Sequence, residues 1–411
     1  MKHWSSLFLI FLSTLSLSAT AQSSDNEPSD NATISTNIGQ SPTLHRRFTG
    51  SKTFEVLHVG VPLVATGLML APANDEFKAL RDSYCSGSHT SVDDYLQYAP
   101  AAAMVALKAA GVESRSSWGR MLTSDALSVA LLTLATNGLK MTTNVGRPDT
   151  GANNSFPSGH TATAFMTATM LHKEYGAESK WYSIGAYTAA TATGLMRVTN
   201  NRHWMRDIIV GAGIGILATE TGYLLADWIF GDHGINGNES NYADTSWQEI
   251  DRPSSIGLYL GSVNSLGEIE EGVTIGTGSK VGFEGAYFFN KYVGVGGRFA
   301  ISNAPIEREM ATEEEELDAI ETTLSCVAAY PISRRLRLAA KVLAGVVNYD
   351  NATLYSGTYA TVGTGVSIDY LANRHFAMRG FCDFDATYIT TLSQPRLNPS
   401  ATFGFAGSII F

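Results

Sequence analysis

The chain has 411 residues, a formal net charge of −10, 16% charged residues and 39 glycines. This length allows two domains, and a net negative charge without a basic tract excludes nucleic acid as a partner. The few charges and many glycines favour a membrane-associated protein over a standard soluble enzyme. Three cysteines lie far apart without metal-ligand spacing. Buried free thiols are favoured, and a Cys326–Cys382 disulfide is the alternative.

The N-terminus has the pattern of an export signal. Lys2 and His3 precede an apolar core from Leu7 to Leu17, and small residues at 19–21 supply a cleavage site. The core is too short to span a membrane comfortably. We expect residues 1–21 to be a signal peptide and the polar residues 22–45 to be a disordered leader.

Residues 46–230 predict a helical domain rich in Ala, Thr, Leu and Gly, small residues that let helices approach closely. Asp125, Glu220 and Asp227 interrupt its apolar segments, and a charge at mid-bilayer costs about 2.5–3.5 kcal/mol. A helical bundle buried in protein, either with or without one face on lipid, is therefore favoured slightly over six membrane spans. The six predicted helices are at about 54–72, 93–111, 121–140, 158–174, 181–197 and 204–230.

A polar, glycine-rich linker at 231–252 ends the helical domain, and the hydrophobic period then changes to two. In the last ten residues, Phe403, Phe405 and Ile409 share one face. Short turns alternate with longer polar loops, as in outer-membrane barrels. Residues 253–411 resemble small eight-stranded barrels of this kind, including the terminal aromatic residue. The eight predicted strands are at about 254–264, 279–290, 292–303, 319–331, 334–347, 358–371, 374–388 and 400–411.

The alternative for this region is a soluble barrel or sandwich, whose apolar face would point inward. Polar side chains lie on the strand face opposite the aromatic residues, where they could pair inside a small barrel. An even strand count places both barrel ends, and by our expectation the helical domain, on the periplasmic side of an outer membrane; inner-membrane residence is the alternative. The acidic run 313–316 is interpreted as a solvated loop tip rather than a calcium site. The inward polar residues are Glu284, Arg298, Arg337, Lys341, Arg379 and Asp383.

Three polar signatures stand out within the helical domain. The stretch 156–160, Phe-Pro-Ser-Gly-His, precedes an apolar helix, so backbone N–H groups at that helix start can face an anion. Asp207 follows His203 by four residues, so its carboxylate can fix the imidazole tautomer. A neutral, oriented imidazole is a competent nucleophile toward phosphorus. Lys140 and Arg147 add two cations, so the pattern indicates phosphate chemistry.

The order and spacing of these signatures resemble the type 2 phosphatidic acid phosphatase superfamily, which includes bacterial acid phosphatases and vanadium haloperoxidases. That family has Lys, six residues and Arg-Pro; then Pro-Ser-Gly-His; then Ser-Arg, five residues, His, three residues and Asp. Only one position departs: Met196 stands where the family usually has Ser, and we expect this to tune affinity or substrate preference. The matching residues are Lys140, Arg147, Pro148, Pro157, Ser158, Gly159, His160, Arg197, His203 and Asp207.

The resemblance implies a role for each matching residue. His203, held by Asp207, would attack phosphorus and form a phosphohistidine, and His160 would protonate the leaving oxygen. Cationic and backbone groups would bind the phosphoryl oxygens and stabilise the transition state without a metal or other cofactor. These phosphate-binding residues are Lys140, Arg147, Ser158, Gly159 and Arg197.

The expected substrate is a lipid phosphate or diphosphate: phosphatidic acid, phosphatidylglycerol phosphate, a polyprenyl diphosphate or a lipid A phosphate. The alternatives are hydrolysis of soluble phosphomonoesters, vanadate-dependent haloperoxidase chemistry, and an inactive domain on an adhesive or structural barrel. Arg202, Trp204 and Arg206 beside the nucleophile either recruit an anionic headgroup or face solvent. His58 and His172 match no motif and are expected to be structural.

Overall fold

The computed structural model describes residues 51–236, 251–270, 272–308, 315–350, 356–372, 375–390 and 395–411. The predicted signal peptide and leader lie outside the described residues. So do 237–250 of the predicted linker and Glu313 and Glu314 of the acidic run. Residues 59–411 form one compact unit.

The N-terminal part of the described chain is helical, and the C-terminal part is a β-sheet. Seven of the helices described have eleven residues or more; α3 has five, and a 3₁₀ turn at Ala71–Ala73 separates α1 from α2. The helices are α1 (Lys52–Met69), α2 (Asn74–Cys85), α3 (Val92–Leu96), α4 (Ala99–Ala109), α5 (Trp118–Thr143), α6 (Gly159–Tyr175), α7 (Lys180–Thr199) and α8 (Met205–Phe230).

The prediction of six helices was too low. The expected helix at 93–111 is divided into α3 and α4, because Pro100 near the start of α4 has no N–H to continue a helix from α3. Helix α2 was missed because it is short and polar, whereas the prediction followed long apolar segments. The other five predicted helices agree with α1, α5, α6, α7 and α8 to within three residues.

Helix α8 packs between α5 and α6 at very short range, and its glycines allow this. A Cβ at Gly215 would lie 2.3 Å from the Ala162 carbonyl oxygen, and one at Gly222 would lie 2.7 Å from the Ser128 nitrogen. Small residues are what close helix pairs require. This contact sets the start of α8 directly against the start of α6.

Few of the described helices could cross a membrane by length and composition. Helix α8 meets the criterion, and the bent pair of α1 and α2 meets it only if counted as a single span. Most of α8 is buried inside the protein, and core helices of soluble proteins also meet the criterion.

The sheet closes into an eight-stranded antiparallel barrel, because β1 pairs with both β4 and β10, and β5 pairs with β6. All eight predicted strands are present. Several are longer than expected and extend into the predicted loops, and β2 and β3 form an additional hairpin in the first loop. The strands are β1 (Ser255–Ser265), β2 (Glu268–Glu270), β3 (Val273–Ile275), β4 (Gly278–Phe288), β5 (Val293–Arg308), β6 (Glu315–Pro331), β7 (Leu336–Asp350), β8 (Gly357–Leu371), β9 (Phe376–Thr390) and β10 (Pro395–Ile410).

The barrel has two distinct ends. At the turn end, the last residues of β4, β6 and β8 lie beside the first residues of β5, β7 and β9, and the start of β1 lies next to the C-terminus. At the loop end, the last residues of β1, β5, β7 and β9 lie beside the first residues of β4, β6, β8 and β10. Both names are used in this sense below.

The polar side chains inside the barrel pair with one another, as predicted. Arg298 donates to Asp383 at 2.7 Å, and Arg337 donates to Asp369 at 2.6 Å. Arg379 also binds Asp369, at 2.7 Å. Pairing of this kind neutralises charges that would otherwise be costly to bury.

The cysteines are free rather than disulfide-bonded. Cys382 is buried and Cys85 is half-buried, whereas Cys326 is exposed on the barrel surface. The prediction of buried free thiols is therefore correct for Cys382 and wrong for Cys326. Cys326 lies on the outward face of β6, where the strand alternation places its side chain away from the barrel interior.

Candidate active site

The residues of the three sequence signatures meet at one end of the helical bundle. The C-terminal ends of α5 and α7 bring Lys140 and Arg197, and the N-terminal end of α6 brings His160. The loop between α7 and α8 brings His203. The sequence-predicted residues thus come from converging helix ends and from the loops beside them.

His203 and Asp207 lie together in the protein interior. His203 is 3% exposed and Asp207 is fully buried. The Nδ1 atom of His203 lies 3.6 Å from the Asp207 carboxylate and 3.4 Å from the hydroxyl of Ser155. Ser155 donates its own hydrogen bond to the same carboxylate at 2.5 Å. With Nδ1 held on this side, Nε2 is the ring nitrogen left to act as nucleophile.

Asp207 also fixes the local backbone around the site. Its carboxylate accepts a hydrogen bond from the Trp204 N–H at 3.2 Å, which caps the start of α8. Its backbone carbonyl accepts one from the Ser158 N–H at 3.1 Å. The same residue therefore orients His203 and ties the start of α8 to the start of α6.

Burial is the largest influence on His203, and it lowers the pKa of the imidazole below its usual value. The Asp207 carboxylate raises the pKa, and the cations Arg197 and Lys140 lower it. The net lowering keeps the imidazole neutral near neutral pH. Neutrality is what a nucleophilic nitrogen needs, because a protonated imidazole has no lone pair to donate.

Lys140 and Arg147 are arranged around one residue, Asn154. Lys140 Nζ donates to the Asn154 carbonyl at 2.6 Å, and Arg147 Nε donates to its side-chain oxygen at 2.7 Å. Burial, and then the nearby Arg147, lower the pKa of Lys140. Two cations held this close to each other favour an anion between them.

Ser158 is the N-cap of α6, and its side chain accepts a hydrogen bond from the Thr161 N–H. It is fully buried, and Gly159 and His160 follow it as the first residues of the helix. A helix start offers free backbone N–H groups and a partial positive charge. This arrangement agrees with the phosphate-binding role expected for Ser158 and Gly159.

Two carboxylates that the sequence interpretation missed hold the remaining site residues. Arg197 donates to Asp93 at 2.6 Å, and His160 Nε2 lies 2.9 Å from Asp94. Both carboxylates come from α3, which was not predicted as a separate element. The only signal in the sequence was an Asp-Asp pair after Ser91, and Asp pairs are common at helix starts.

His160 is partly exposed, whereas His203 is buried. Burial and the nearby Arg197 lower the pKa of His160, and Asp94 opposes this. A bound phosphate group would add negative charge beside the ring and favour its protonated form. That protonated form is the one a general acid needs.

Within the part of the chain that the structure describes, the buried Nε of Arg197 has no hydrogen-bond partner. An unpaired buried donor costs about 1–3 kcal/mol unless a ligand satisfies it. The guanidinium is anchored through Nη1 to Asp93 and is only 7% exposed. It is therefore positioned before any substrate arrives.

The flanking residues have specific contacts rather than simply facing solvent. Arg202 donates to Asp149 at 2.9 Å, and the Trp204 indole donates to the Gly146 carbonyl at 2.8 Å. Both contacts brace the loop that carries Arg147. The Arg206 guanidinium lies over the Phe156 ring.

His58 and His172, which match no motif, have structural contacts, as expected. His172 Nδ1 lies 2.7 Å from the Ser183 hydroxyl between α6 and α7. His58 Nδ1 lies 2.9 Å from the Glu55 carbonyl of its own helix.

Comparison with known proteins gives the same family as the sequence signatures. Residues 122–229 match the PAP2 superfamily. The chain is 40% identical over 227 residues to a lipid A 1-phosphatase from Porphyromonas gingivalis, a match covering 55% of this chain and 51% of that protein. The chain thus spans about half the length of this curated relative.

Two solved structures are each similar to less than half of the chain. A PAP2-type phosphatidylglycerolphosphate phosphatase from Bacillus subtilis is 16% identical and has a TM-score of 0.31; the match covers 43% of this chain and 96% of that one. The outer membrane protein OprG from Pseudomonas aeruginosa is 12% identical and has a TM-score of 0.29; that match covers 39% and 97%.

Proposed function

Residues 122–229 form a PAP2 superfamily domain, and we propose that this domain is a phosphatase that removes a phosphate from a membrane lipid by way of a phosphohistidine. The observation that carries the proposal is the buried pair of His203 and Asp207 beside Lys140, Arg147 and Arg197. Folding alone would not require these five residues to lie together. Together they supply a nucleophile and an anion-binding shell.

In the proposed reaction, the substrate phosphate binds between Lys140, Arg147 and the start of α6. Nε2 of His203 attacks phosphorus, and the bond from phosphorus to the lipid oxygen breaks. His160 gives its proton to that leaving oxygen. Asp207 stabilises the positive charge that forms on the His203 ring.

In the second step, a water molecule attacks the phosphohistidine. His160, now unprotonated, takes a proton from this water, and the bond from phosphorus to Nε2 breaks. Inorganic phosphate leaves, and both histidines return to their starting states. The fixed cations stabilise the same phosphoryl charge in both steps, so they do not reorganise between them.

Among lipid phosphates, a lipid A phosphate is the substrate we favour. The 40% identical relative is a lipid A 1-phosphatase, and the C-terminal barrel would hold the site at an outer membrane. Phosphatidic acid, phosphatidylglycerol phosphate and polyprenyl diphosphates are the other members of the test panel. Soluble phosphomonoesters form its final arm.

The experiment is phosphate release by purified full-length protein from this panel, each presented in detergent micelles. His203→Ala should lose nearly all activity, because no other group in the site can take over the attack. His233→Ala is the matched control, since His233 is exposed and lies outside the site. Equal activity of wild type and His203→Ala would overturn the mechanism, and release from soluble esters alone would overturn the lipid substrate.

A further inference from the structure

Helix α2 packs on the outer face of the barrel wall near the loop end. Lys280 points into the barrel, so its neighbour Ser279 points outward by strand alternation. Ser279 is nevertheless fully buried, and its hydroxyl donates to the Glu76 carbonyl of α2 at 2.8 Å. The Tyr84 hydroxyl donates to the Ala319 carbonyl at 3.0 Å, and Ser83 contacts Asp318.

These contacts lie at the edge of the apolar surface of the barrel. Toward the turn end from them, the outward residues Phe299, Ile320 and Leu324 are apolar and exposed. Asn303 and Asp318, at the level of α2, are polar. An apolar band bounded by polar residues matches the lipid-facing surface of a membrane barrel. Helix α2 therefore lies where that band ends.

Helix α7 runs along the barrel from the turn end toward the loop end. Its Tyr187 ring packs edge-on against Phe376, the first residue of β9 at the turn end, at 4.7 Å between centroids. Twelve residues later, the Thr199 carbonyl accepts hydrogen bonds from Arg81 of α2. Twelve helical residues span roughly 18 Å. Arg197 thus belongs to the loop-end side of the molecule.

Helix α8 returns the chain in the opposite direction. It starts beside His203 and continues for 26 residues, a length of roughly 39 Å. It is also the helix that meets the length and composition criterion for a membrane span. Its end leads into the segment before Ser255, where β1 begins at the turn end. The even strand count therefore locates the entry into the barrel, not the active site.

Like the outer wall of the barrel, the surface of the bundle exposes apolar side chains. Helix α5 buries Ser124, Ser128 and Thr136 and exposes Leu122 and Leu134. In water this arrangement would be unfavourable, whereas in lipid it is expected.

Aromatic residues border this apolar surface at both ends. Trp118, Trp181 and Trp228 are exposed at the end of the bundle opposite the site, and Tyr95 and Tyr98 are exposed near α3 at the site end. Tryptophan and tyrosine collect at the two interfaces of a membrane.

We propose that the bundle and the barrel lie side by side in one bilayer, with the active site opening at the loop end. Barrel loops face the cell exterior in outer membranes. The site then takes its phosphate from lipids of the outward-facing leaflet, in contrast to the periplasmic opening expected from strand parity. The choice of leaflet rests on the proposed lipid phosphatase function, whereas the placement of the site does not.

Cysteine labelling in intact cells tests the placement. In a background with Cys85→Ser, Cys326→Ser and Cys382→Ala, a single cysteine is introduced by Thr150→Cys. Thr150 is an exposed residue of the loop that carries Arg147. A membrane-impermeant maleimide is applied before and after permeabilisation. Two exposed barrel positions give the reference patterns: Glu268→Cys at the loop end and Arg334→Cys at the turn end.

We expect Thr150→Cys and Glu268→Cys to react fully in intact cells and Arg334→Cys to react only after permeabilisation. Protection of Thr150→Cys in intact cells, as for Arg334→Cys, would overturn the proposal. So would identical labelling of the two reference positions, because the barrel would then not span the membrane. Labelling requires no catalysis, so its failure is distinguishable from inactivity in the phosphate-release assay.

Oxidative cross-linking tests the side-by-side packing independently. The pair Ser83→Cys and Asp318→Cys should form a disulfide in isolated membranes and give a mobility shift that reductant removes. The control pair, Ser83→Cys with Arg334→Cys, should remain uncross-linked because Arg334 is at the opposite end of the barrel. Failure of the first pair, or equal cross-linking of both pairs, would contradict the packing.

Discussion

The bundle and the barrel both bury charged side chains, but they balance those charges differently. Inside the barrel, cations pair with carboxylates. One cation, Arg298, contacts three of them: Asp383, Glu321 and Asp385. In the bundle site, burial and then the nearby Arg147 and Arg197 lower the pKa of Lys140. The barrel interior is thus already neutral, whereas the bundle site still favours an anion.

This difference separates a structural network from a reactive site. A self-paired network stabilises one packing arrangement. A site with a neutral buried imidazole and several clustered cations would gain a counter-charge from a phosphoryl group. Substitutions should therefore affect activity in the bundle and stability in the barrel.

Among variants that keep the nucleophile, the largest effect is expected from Asp207→Asn, which keeps the shape of the side chain but removes its charge. By analogy with the carboxylate of a serine-protease triad, the rate should fall by up to ~10⁴-fold. The low-pH side of the pH–activity profile, its acid limb, should also move. The rate falls as pH decreases through the pKa of His203, and loss of the Asp207 charge lowers that pKa further. The limb of log kcat/KM should therefore shift to lower pH.

The control for this change is Ser155→Ala, which removes the hydroxyl that binds the Asp207 carboxylate but leaves the charge. Its acid limb should move much less than that of Asp207→Asn. An unchanged limb in Asp207→Asn would show that the carboxylate does not act through His203.

A second variant, Arg147→Gln, addresses the cation cluster. Loss of one positioned donor to a developing oxyanion costs about 10²–10³-fold in rate. We therefore expect a decrease of this size in kcat, measured by phosphate release. Arg202→Gln is the matched control, because Arg202 belongs to the same region but pairs with Asp149. Equal losses in both variants would argue for a general effect of surface charge.

The barrel should respond to Arg298→Met in the opposite way. This change removes the cation that contacts Glu321, Asp383 and Asp385 together and leaves only Lys280 and Lys341 beside them. Breaking a buried charge pair costs about 3–5 kcal/mol. The unfolding midpoint should fall, measured by heat-dependent gel mobility, while kcat per folded molecule should not change. Arg396→Met, at an exposed position of β10, should change neither quantity. Loss of kcat at an unchanged midpoint would remove the distinction between the two regions.

The sequence predicted most of this organisation because its patterns were periodic or tightly spaced. Strand alternation over 253–411 located all eight barrel strands, and the three signatures located the residues that meet around His203. The fold also contains long-range contacts that local sequence patterns cannot predict. Asp93 and Asp94 precede His160 by more than 60 residues, and only the packing of α3 against α6 and α7 brings them to the site.

The position of the site followed neither from periodicity nor from spacing. An even strand count requires both chain ends of the barrel to lie at the same end, and they lie together at the turn end. The strand count does not include the direction of α8. Helix α2 was missed for a related reason: its contacts are with Ser279 and Ala319, some 200 residues away. Long-range packing of this kind cannot be predicted from a short stretch of sequence.

The smallest effect is expected at Met196, the one departure from the family pattern. Met196 is half-buried, and its backbone carbonyl accepts a hydrogen bond from the Asn200 N–H at 2.9 Å, which any residue can provide. The neighbouring Arg197 is anchored by Asp93 and not by the side chain at 196. Met196→Ser should therefore add at most one hydrogen bond to phosphate, about 0.5–1.5 kcal/mol, and lower KM by no more than about tenfold. Met196→Ala, which lacks the hydroxyl, should leave KM unchanged. A rise in kcat by orders of magnitude in either variant would instead show that the methionine side chain obstructs the chemical step. The site would then differ from the self-paired barrel in steric control as well as in charge.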